Sequence, residues 1–259
     1  MSGAPADAGA PGTGALKVSD DRLLGGRVRL RQPAEGYRVA IDPVFLAAAV
    51  PAEPHQLVLD LGCGVGAAML CLAARVPHSR VVGLEMQREL VRLAGDNIIL
   101  NGLETRLSVM IGDLLRPPPR LSPGAFDHVM ANPPYNERGR SHPATDPARA
   151  EATIEGAADL AAWVRFAFAM VRPHGSVTFI HRADRIDALV AEIAGRGGEM
   201  VVFPLWPGEG RAASRILVRA RKQLAAPARL APGLVLHRPD GRLSEAAEGV
   251  LRQGRGLEL

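Results

Sequence analysis

Short apolar runs alternate with longer amphipathic segments between residue 57 and about residue 205. The short runs have the length of buried strands, and the longer segments have the length of helices. We predict strands at 57–61, 80–84, 106–111, 126–130, 176–180, 200–205 and 215–220. The predicted helices end near residue 76 or span 87–100, 157–171 and 184–194. This alternation indicates an α/β fold with a parallel, doubly wound sheet covered on both faces.

The segments on either side of this pattern differ from it. Residues 1–20 are predicted to be a disordered tail, because their first part is rich in Gly, Ala and Pro. Residues 21–56 predict an N-terminal extension with a hairpin and a short helix, in which Asp42 is the N-cap and Pro43 the first helical residue. The core domain is predicted at 57–222, and a C-terminal tail with at most one short helix at 223–259.

Composition narrows the class of protein only moderately. A chain of 259 residues with 47% hydrophobic residues suits one large α/β domain with extensions. The net charge of +4 makes a polyanionic partner plausible. Two cysteines, without a Cys/His cluster, indicate neither a disulfide scaffold nor a metal site. The N-terminal stretch lacks the apolar core of a signal peptide and no run is long enough to span a bilayer, so a cytoplasmic location is expected.

Three glycines lie where the first core strand turns into its helix. Gly62, Gly64 and Gly66 follow Asp60 closely. Glycine allows the backbone angles of a tight turn and leaves room for a ligand beside the backbone. In an open parallel sheet, the crevice beyond the carboxyl end of this strand binds ligands. The spacing up to Ala67 also matches a loose dinucleotide fingerprint, so a nicotinamide dehydrogenase stays a candidate.

Acidic residues follow at successive strand ends. Asp60 would repel a pyrophosphate but can accept from an ammonium group, and Glu85 is placed to bind ribose hydroxyls. Asp113 ends the third core strand, where a carboxylate can accept from the exocyclic amine of adenine. Ammonium, ribose and adenine in this chain order favour S-adenosylmethionine over NAD. The predicted cofactor-binding residues are Asp60, Gly62, Gly64, Gly66, Glu85, Asp113 and Leu114.

The four residues Asn132, Pro133, Pro134 and Tyr135 follow the fourth core strand. Prolines lack a backbone N–H and fix φ, so they end the strand abruptly. The Asn132 amide oxygen and the Pro133 carbonyl can accept the two hydrogens of a planar NH2 group whose π-system stacks on Tyr135. Such a site suits the N6 amine of adenine or a carboxamide, and we predict these four residues to be catalytic. The alternative is an ordinary strand-ending turn.

Together these motifs resemble those of Rossmann-fold S-adenosylmethionine-dependent methyltransferases that act on amino nitrogens. The resemblance covers residues 57 to about 220. It implies a seven-stranded, mostly parallel sheet whose last strand, at 215–220, is antiparallel. The flanking motifs at 36–42 and 204–207 are similar to those of the bacterial tRNA1(Val) adenine-N6 methyltransferases. That branch implies S-adenosyl-L-methionine as cofactor and RNA, in particular tRNA, as substrate.

Arginines near the predicted catalytic motif are candidates for RNA contact. We predict that Arg38, Arg138 and Arg140 bind substrate phosphates, although a solvated polar surface is the alternative for each. A release-factor glutamine methyltransferase is the nearest rival, since a carboxamide satisfies the same two acceptors. A non-catalytic RNA-binding module is the rival from another class, but it leaves the cofactor acids unexplained.

Overall fold

A computed structural model describes residues 17–35, 38–135 and 158–259. The strands are β1 Val18–Leu23, β2 Val28–Pro33, β3 Leu57–Leu61, β4 Arg80–Glu85, β5 Leu107–Ile111, β6 Phe126–Ala131, β7 Val171–Arg182, β8 Gly197–Trp206, β9 Arg215–Lys222, β10 Arg229–Leu230 and β11 Leu234–Val235. The helices are α1 Asp42–Ala49, α2 Ala67–Arg75, α3 Arg88–Leu100, α4 Leu160–Met170, α5 Ile186–Ile193 and α6 Glu245–Leu251.

The main sheet has the strand order β5-β4-β3-β6-β7-β9-β8. Strands β3 to β7 pair in parallel, whereas β9 is antiparallel to both β7 and β8. This confirms the mostly parallel sheet with an antiparallel last core strand. Among the described residues, β10 and β11 add two short parallel strands to β8, which the sequence did not indicate.

The strand order reverses at β3, which lies between β4 and β6. In a doubly wound sheet, a ligand-binding crevice opens at such a reversal, beyond the carboxyl ends of the strands. One apolar core lies between the sheet and a face built from α1, α2 and α3, and a second core lies under α4 and α5. The sheet is therefore covered on both faces, as predicted from the near-continuous apolar strands.

Strands β1 and β2 form the predicted N-terminal hairpin, in antiparallel register from the pair Val18–Pro33 to the pair Leu23–Val28. The hairpin begins earlier than predicted, because β1 includes residues 18–20 of the predicted disordered tail. The hairpin is held against α3 by Asn101, whose side chain accepts from Arg29 N and donates to Arg29 O at 2.9 and 2.7 Å. The extension is thus joined to the core through backbone groups.

The C-terminal segment also folds back on the core. Ala247 and Val250 of α6 are buried in the same core as α1. Leu257 N donates to Ala48 O at 2.8 Å, and Arg219 donates to Leu259 O at 2.6 Å. The predicted short helix at 244–251 corresponds to α6.

Within the described residues, no helix is long and apolar enough to cross a membrane.

The prediction that Asp42 caps α1 is wrong. Asp42 is the first helical residue and Ile41 occupies the N-cap position, and among the described residues no side chain caps this end. The Asp42 carboxylate instead binds side chains from other parts of the chain, which the local sequence pattern could not indicate.

Candidate active site

The glycine turn between β3 and α2 has the geometry that its composition predicts. Gly62 has φ +63°, and Gly66 forms the N-cap of α2 with φ +88°, in the left-handed region that favours glycine. A Cβ atom on Gly62 would lie 2.5 Å from Trp163 Cη2 of α4, so the backbone approaches the ring too closely for a side chain. At Gly64 a Cβ would meet no atom of the described residues within 4 Å, so with respect to them this turn is open on its outer side.

Glu85, at the end of β4, braces the glycine turn. Its Oε2 accepts from Gly64 N at 3.0 Å, and its Oε1 accepts from Met86 N and Gln87 N at 2.9 Å. A carboxylate offers about four acceptor positions, so three backbone donors leave little free capacity. In the ribose contact predicted from sequence, the Glu85 oxygens would therefore also be bonded to the turn.

Asp60 lies buried inside β3, and its Oδ2 has no hydrogen-bond partner among the described residues. Burial raises the pKa of this carboxyl to about 8; a hydrogen bond from the Met69 backbone opposes the shift, and the charge of Glu85 adds to it. A buried acceptor without a donor is costly, and an ammonium group would satisfy it. The residue therefore fits the ammonium-binding role predicted for it.

Asp113 and Leu114 follow β5, as predicted. Asp113 Oδ1 accepts from Leu115 N at 2.9 Å, and the half-buried Leu114 packs against the core under α4. Two large apolar side chains at neighbouring strand ends, Met86 after β4 and Ile111 in β5, are 66% and 43% exposed. Sequence reasoning did not identify them, yet exposed apolar groups at this edge suit contact with a flat ring.

The motif from Asn132 to Tyr135 begins directly after β6, beside the glycine turn. Ala131 pairs with Leu61 in the sheet, so the residues that follow these two strands are neighbours. The Tyr135 hydroxyl lies 2.6 Å from Asn132 Oδ1 and 2.6 Å from Asp42 Oδ2. The structure thus joins the motif to the first residue of α1.

Two further side chains pack on Tyr135. The guanidinium carbon of Arg215, in β9, lies 4.9 Å from the ring centroid, and Arg215 Nε donates to Asp42 Oδ2 at 2.9 Å. His181, at the end of β7, meets the ring edge-on with centroids 5.4 Å apart. His181 is fully buried, and burial, with the nearby charge of Arg185, lowers its pKa to about 4, so it is neutral at pH 7. Stacking of Tyr135 on a substrate base stays a prediction.

Of the three arginines predicted to bind substrate, the structure describes only Arg38. Arg38 donates to both carboxylate oxygens of Asp21 at 2.9 Å, on the N-terminal hairpin. It lines a cavity of about 660 Å³ together with Ile41, the residue before Asp42. Arg138 and Arg140 lie outside the described residues.

Solved structures share the fold of this protein. A similar fold occurs in a predicted O-methyltransferase from Agrobacterium tumefaciens, with TM-score 0.70, 24% identity, and coverage of 84% of this chain and 98% of that chain. The tRNA (m1A58) methyltransferase of Aquifex aeolicus shares it with TM-score 0.54, 16% identity, and coverage of 75% and 73%. The fold of this chain is therefore Rossmann-like and is shared with both of these methyltransferases.

Sequence comparison gives a family match: residues 39–160 match the model of the methyltransferase small domain. The tRNA1(Val) (adenine(37)-N6)-methyltransferase of Aeromonas hydrophila is 26% identical over 211 residues, 80% of this chain and 86% of that protein. The rRNA N(6)-adenosine-methyltransferase of Caenorhabditis elegans is 23% identical over 164 residues, 63% and 69%. The release factor glutamine methyltransferase of Geobacter sulfurreducens is 36% identical over 93 residues, 36% and 31%. The chain is a methyltransferase, not a nicotinamide dehydrogenase or a non-catalytic module.

Proposed function

We propose that this protein transfers the methyl group of S-adenosylmethionine to the N6 amine of an adenine in RNA, specifically in a tRNA. The observation that carries the proposal is the position of Asn132 and Pro133 at the end of β6, beside the glycine turn that follows β3. A side-chain amide and a tertiary-amide carbonyl next to a cofactor crevice form a two-acceptor site for an NH2 group. The relatives named for adenine-N6 methylation of tRNA and rRNA support the same substrate class.

The residues at the strand ends fit the cofactor. Asp60 offers a buried carboxylate oxygen that has no hydrogen-bond partner among the described residues, and it could accept from an ammonium group. Asp113 follows β5, and we expect it to accept from the adenine amine of the cofactor. Glu85 fixes the open turn at Gly64 and keeps limited capacity for a hydroxyl. When bound, S-adenosylmethionine supplies an electrophilic methyl group on a sulfonium centre.

Asp60 should make cofactor affinity depend on pH. Its pKa of about 8 in the free protein falls when an ammonium group binds beside it, so binding releases a proton at pH values below about 8. Affinity should therefore weaken as the pH falls from about 8 towards 6.5, by up to ~10-fold per pH unit. Calorimetry at several pH values measures this, with Asp60→Asn as the control whose affinity should not follow pH. Equal profiles for both proteins would show that Asp60 does not titrate on binding.

The amine of adenine is a weak nucleophile, because its lone pair is delocalised into the ring. Asn132 Oδ1 and the Pro133 carbonyl would each accept one N–H, which favours a pyramidal nitrogen and directs its lone pair. Preorganised dipoles and near-attack positioning supply several kcal/mol in such sites. Asn132 cannot take up a proton, so loss of the proton to water after methylation is the simplest account.

RNA binding should be sensitive to salt if Arg138 and Arg140 contact phosphates. Each phosphate contact contributes about 0.7 to the slope of log affinity against log salt for a single strand. Charge reversal of both residues should therefore raise the KM for tRNA and reduce that slope by about 1.4. Cofactor affinity should not change. Arg242→Glu, at an exposed arginine of the C-terminal segment, is the matched control. An unchanged slope in the double variant would remove both residues from the RNA contact.

A protein-glutamine substrate is the second candidate. The similarity to the release factor glutamine methyltransferase supports it, and a carboxamide satisfies the same two acceptors. Methyl transfer to a release-factor glutamine peptide, measured beside transfer to tRNA, separates the two. Transfer to the peptide alone would replace the RNA proposal.

The RNA substrate can be tested in cells. Nucleoside mass spectrometry of total tRNA from a deletion strain and its parent should show loss of N6-methyladenosine only in the deletion strain. Restoration by the wild-type gene, but not by an Asn132→Ala copy, assigns the loss to this site. Equal N6-methyladenosine in both strains would contradict a tRNA substrate.

A further inference from the structure

Asp42 is a buried carboxylate at the start of α1, and it contacts the predicted catalytic motif across 93 residues of sequence. Its side chain is only 6% exposed. Its Oδ2 lies 2.6 Å from the Tyr135 hydroxyl and 2.9 Å from Arg215 Nε, which donates to it. Neither the glycine turn nor the cofactor acids account for this contact.

The hydroxyl of Tyr135 has one hydrogen but lies 2.6 Å from two oxygens, Asp42 Oδ2 and Asn132 Oδ1. It can donate to only one of them. A carboxylate is the stronger acceptor, since hydrogen bonds to ionised groups are shorter and about twice as strong as neutral ones. Tyr135 therefore donates its hydrogen bond to Asp42. In the contact between Tyr135 and Asn132, the hydrogen must then come from the Asn132 amide.

The Asn132 amide can supply that donor. Its oxygen and nitrogen have nearly the same shape, so the hydrogen-bond network decides which of them faces a neighbour. If Tyr135 donates to Asp42, the stable arrangement has Asn132 Nδ2 donating to the Tyr135 oxygen. Asn132 Oδ1 then receives no hydrogen from Tyr135 and is available to accept a substrate N–H.

We propose that Asp42 is a positioning residue. It accepts the hydrogen bond of the Tyr135 hydroxyl, and the Asn132 amide is thereby oriented with its oxygen towards the amine to be methylated. This rests on the proposed function, because it assigns the acceptor orientation that N-methylation needs. Arg215 supports the same arrangement, since its guanidinium pairs with Asp42 and covers the Tyr135 ring. The N-terminal extension therefore contributes directly to the acceptor site.

Removing Asp42 has a specific consequence in this arrangement. Without the carboxylate, the Tyr135 hydroxyl donates to Asn132 Oδ1 and occupies the acceptor that the substrate needs. Removing the hydroxyl as well frees that oxygen again. A purely structural role for Asp42 predicts no such recovery, since a second truncation at a packed site adds damage or has no effect.

The test compares Asp42→Ala, Asp42→Asn, Tyr135→Phe and the double variant Asp42→Ala/Tyr135→Phe by single-turnover methyl transfer to tRNA. We expect Asp42→Ala to lower the rate by ~10-fold or more, the scale of a lost preorganised contact, with cofactor affinity unchanged. Asp42→Asn still offers an oxygen to the hydroxyl and should stay within about threefold of wild type, a loss of ~0.7 kcal/mol. The double variant should be faster than Asp42→Ala. Asp127→Asn, which disrupts a comparable ion pair with Arg172, is the control and should leave the rate unchanged.

The outcomes separate this proposal from the proposed function. A wild-type protein that methylates no RNA overturns the function itself. An active wild type with an equally active Asp42→Ala overturns the positioning role alone. If Asp42→Ala fails to fold, Asp42→Asn decides: a rate more than about threefold below wild type that the added Tyr135→Phe change does not restore would overturn the positioning role. Slower transfer by the double variant than by Asp42→Ala would also overturn the positioning role.

Discussion

Asn132→Ala is expected to lower the rate of methyl transfer by ~10²-fold or more, the loss found when one preorganised polar contact at a reacting centre is removed. Melting temperature and cofactor affinity should stay close to wild type. Asn132 is half-exposed at the end of β6, and its described side-chain contact is with Tyr135, so truncation removes little packing. Single-turnover transfer with saturating cofactor and tRNA isolates this step from product release.

Two variants sharpen this prediction. Asn132→Asp keeps an oxygen that can accept an N–H, so it should retain more activity than Asn132→Ala. Asn101→Ala is the matched control, since Asn101 holds the hairpin through Arg29 and has a structural role. It should lower the melting temperature and leave the transfer rate nearly unchanged. A rate for Asn132→Ala within about threefold of wild type, a loss of only ~0.7 kcal/mol, would remove Asn132 from the mechanism.

Loss of the Asp60 carboxylate should weaken S-adenosylmethionine binding by roughly tenfold to a hundredfold. A hydrogen bond to a charged group is worth ~1.5–3 kcal/mol, which corresponds to that range. Asp60→Ala and Asp60→Asn should both show the loss in calorimetry. Asp60→Asn should weaken binding without lowering stability, because a neutral amide replaces a buried carboxyl whose Oδ2 has no hydrogen-bond partner among the described residues. Its melting temperature should be equal to or above that of wild type.

Glu85→Ala provides the comparison for Asp60. Glu85 accepts three backbone hydrogen bonds that hold the glycine turn against β4. Its truncation should lower both the melting temperature and the cofactor affinity, since the turn loses its brace. Unchanged affinity in the Asp60 variants, together with weaker binding in Glu85→Ala, would assign binding to the turn and not to Asp60.

The sequence was a reliable guide to the core and to the order of its motifs. Apolar strands and glycine-rich turns are local signals, so β3 to β9 lie where the sequence pattern predicts strands. β7 and β8 extend furthest beyond their predicted bounds. Gly62 and Asn132 directly follow the neighbouring strands β3 and β6. They therefore lie at the sheet edge where ligands bind in doubly wound sheets.

The side-chain network around Tyr135 could not be predicted in the same way. Asp42 followed by Pro43 has the local pattern of a helix cap, and Arg215 has the pattern of a strand residue. Their contact depends on how α1 and β9 pack around the end of β6, which is a tertiary feature. For the same reason, the packing of residues 223–259 on α1 and β8 was not visible in their Pro- and Arg-rich composition.

Nucleoside mass spectrometry of an unmodified tRNA, after incubation with the purified protein and S-adenosylmethionine, tests methyl transfer to adenine most directly. The expected result is N6-methyladenosine at a defined adenine, produced by the wild type and reduced ~10²-fold in initial rate by Asn132→Ala. A tRNA that gains no N6-methyladenosine, while a release-factor glutamine peptide is methylated under the same conditions, would contradict adenine in RNA as the substrate.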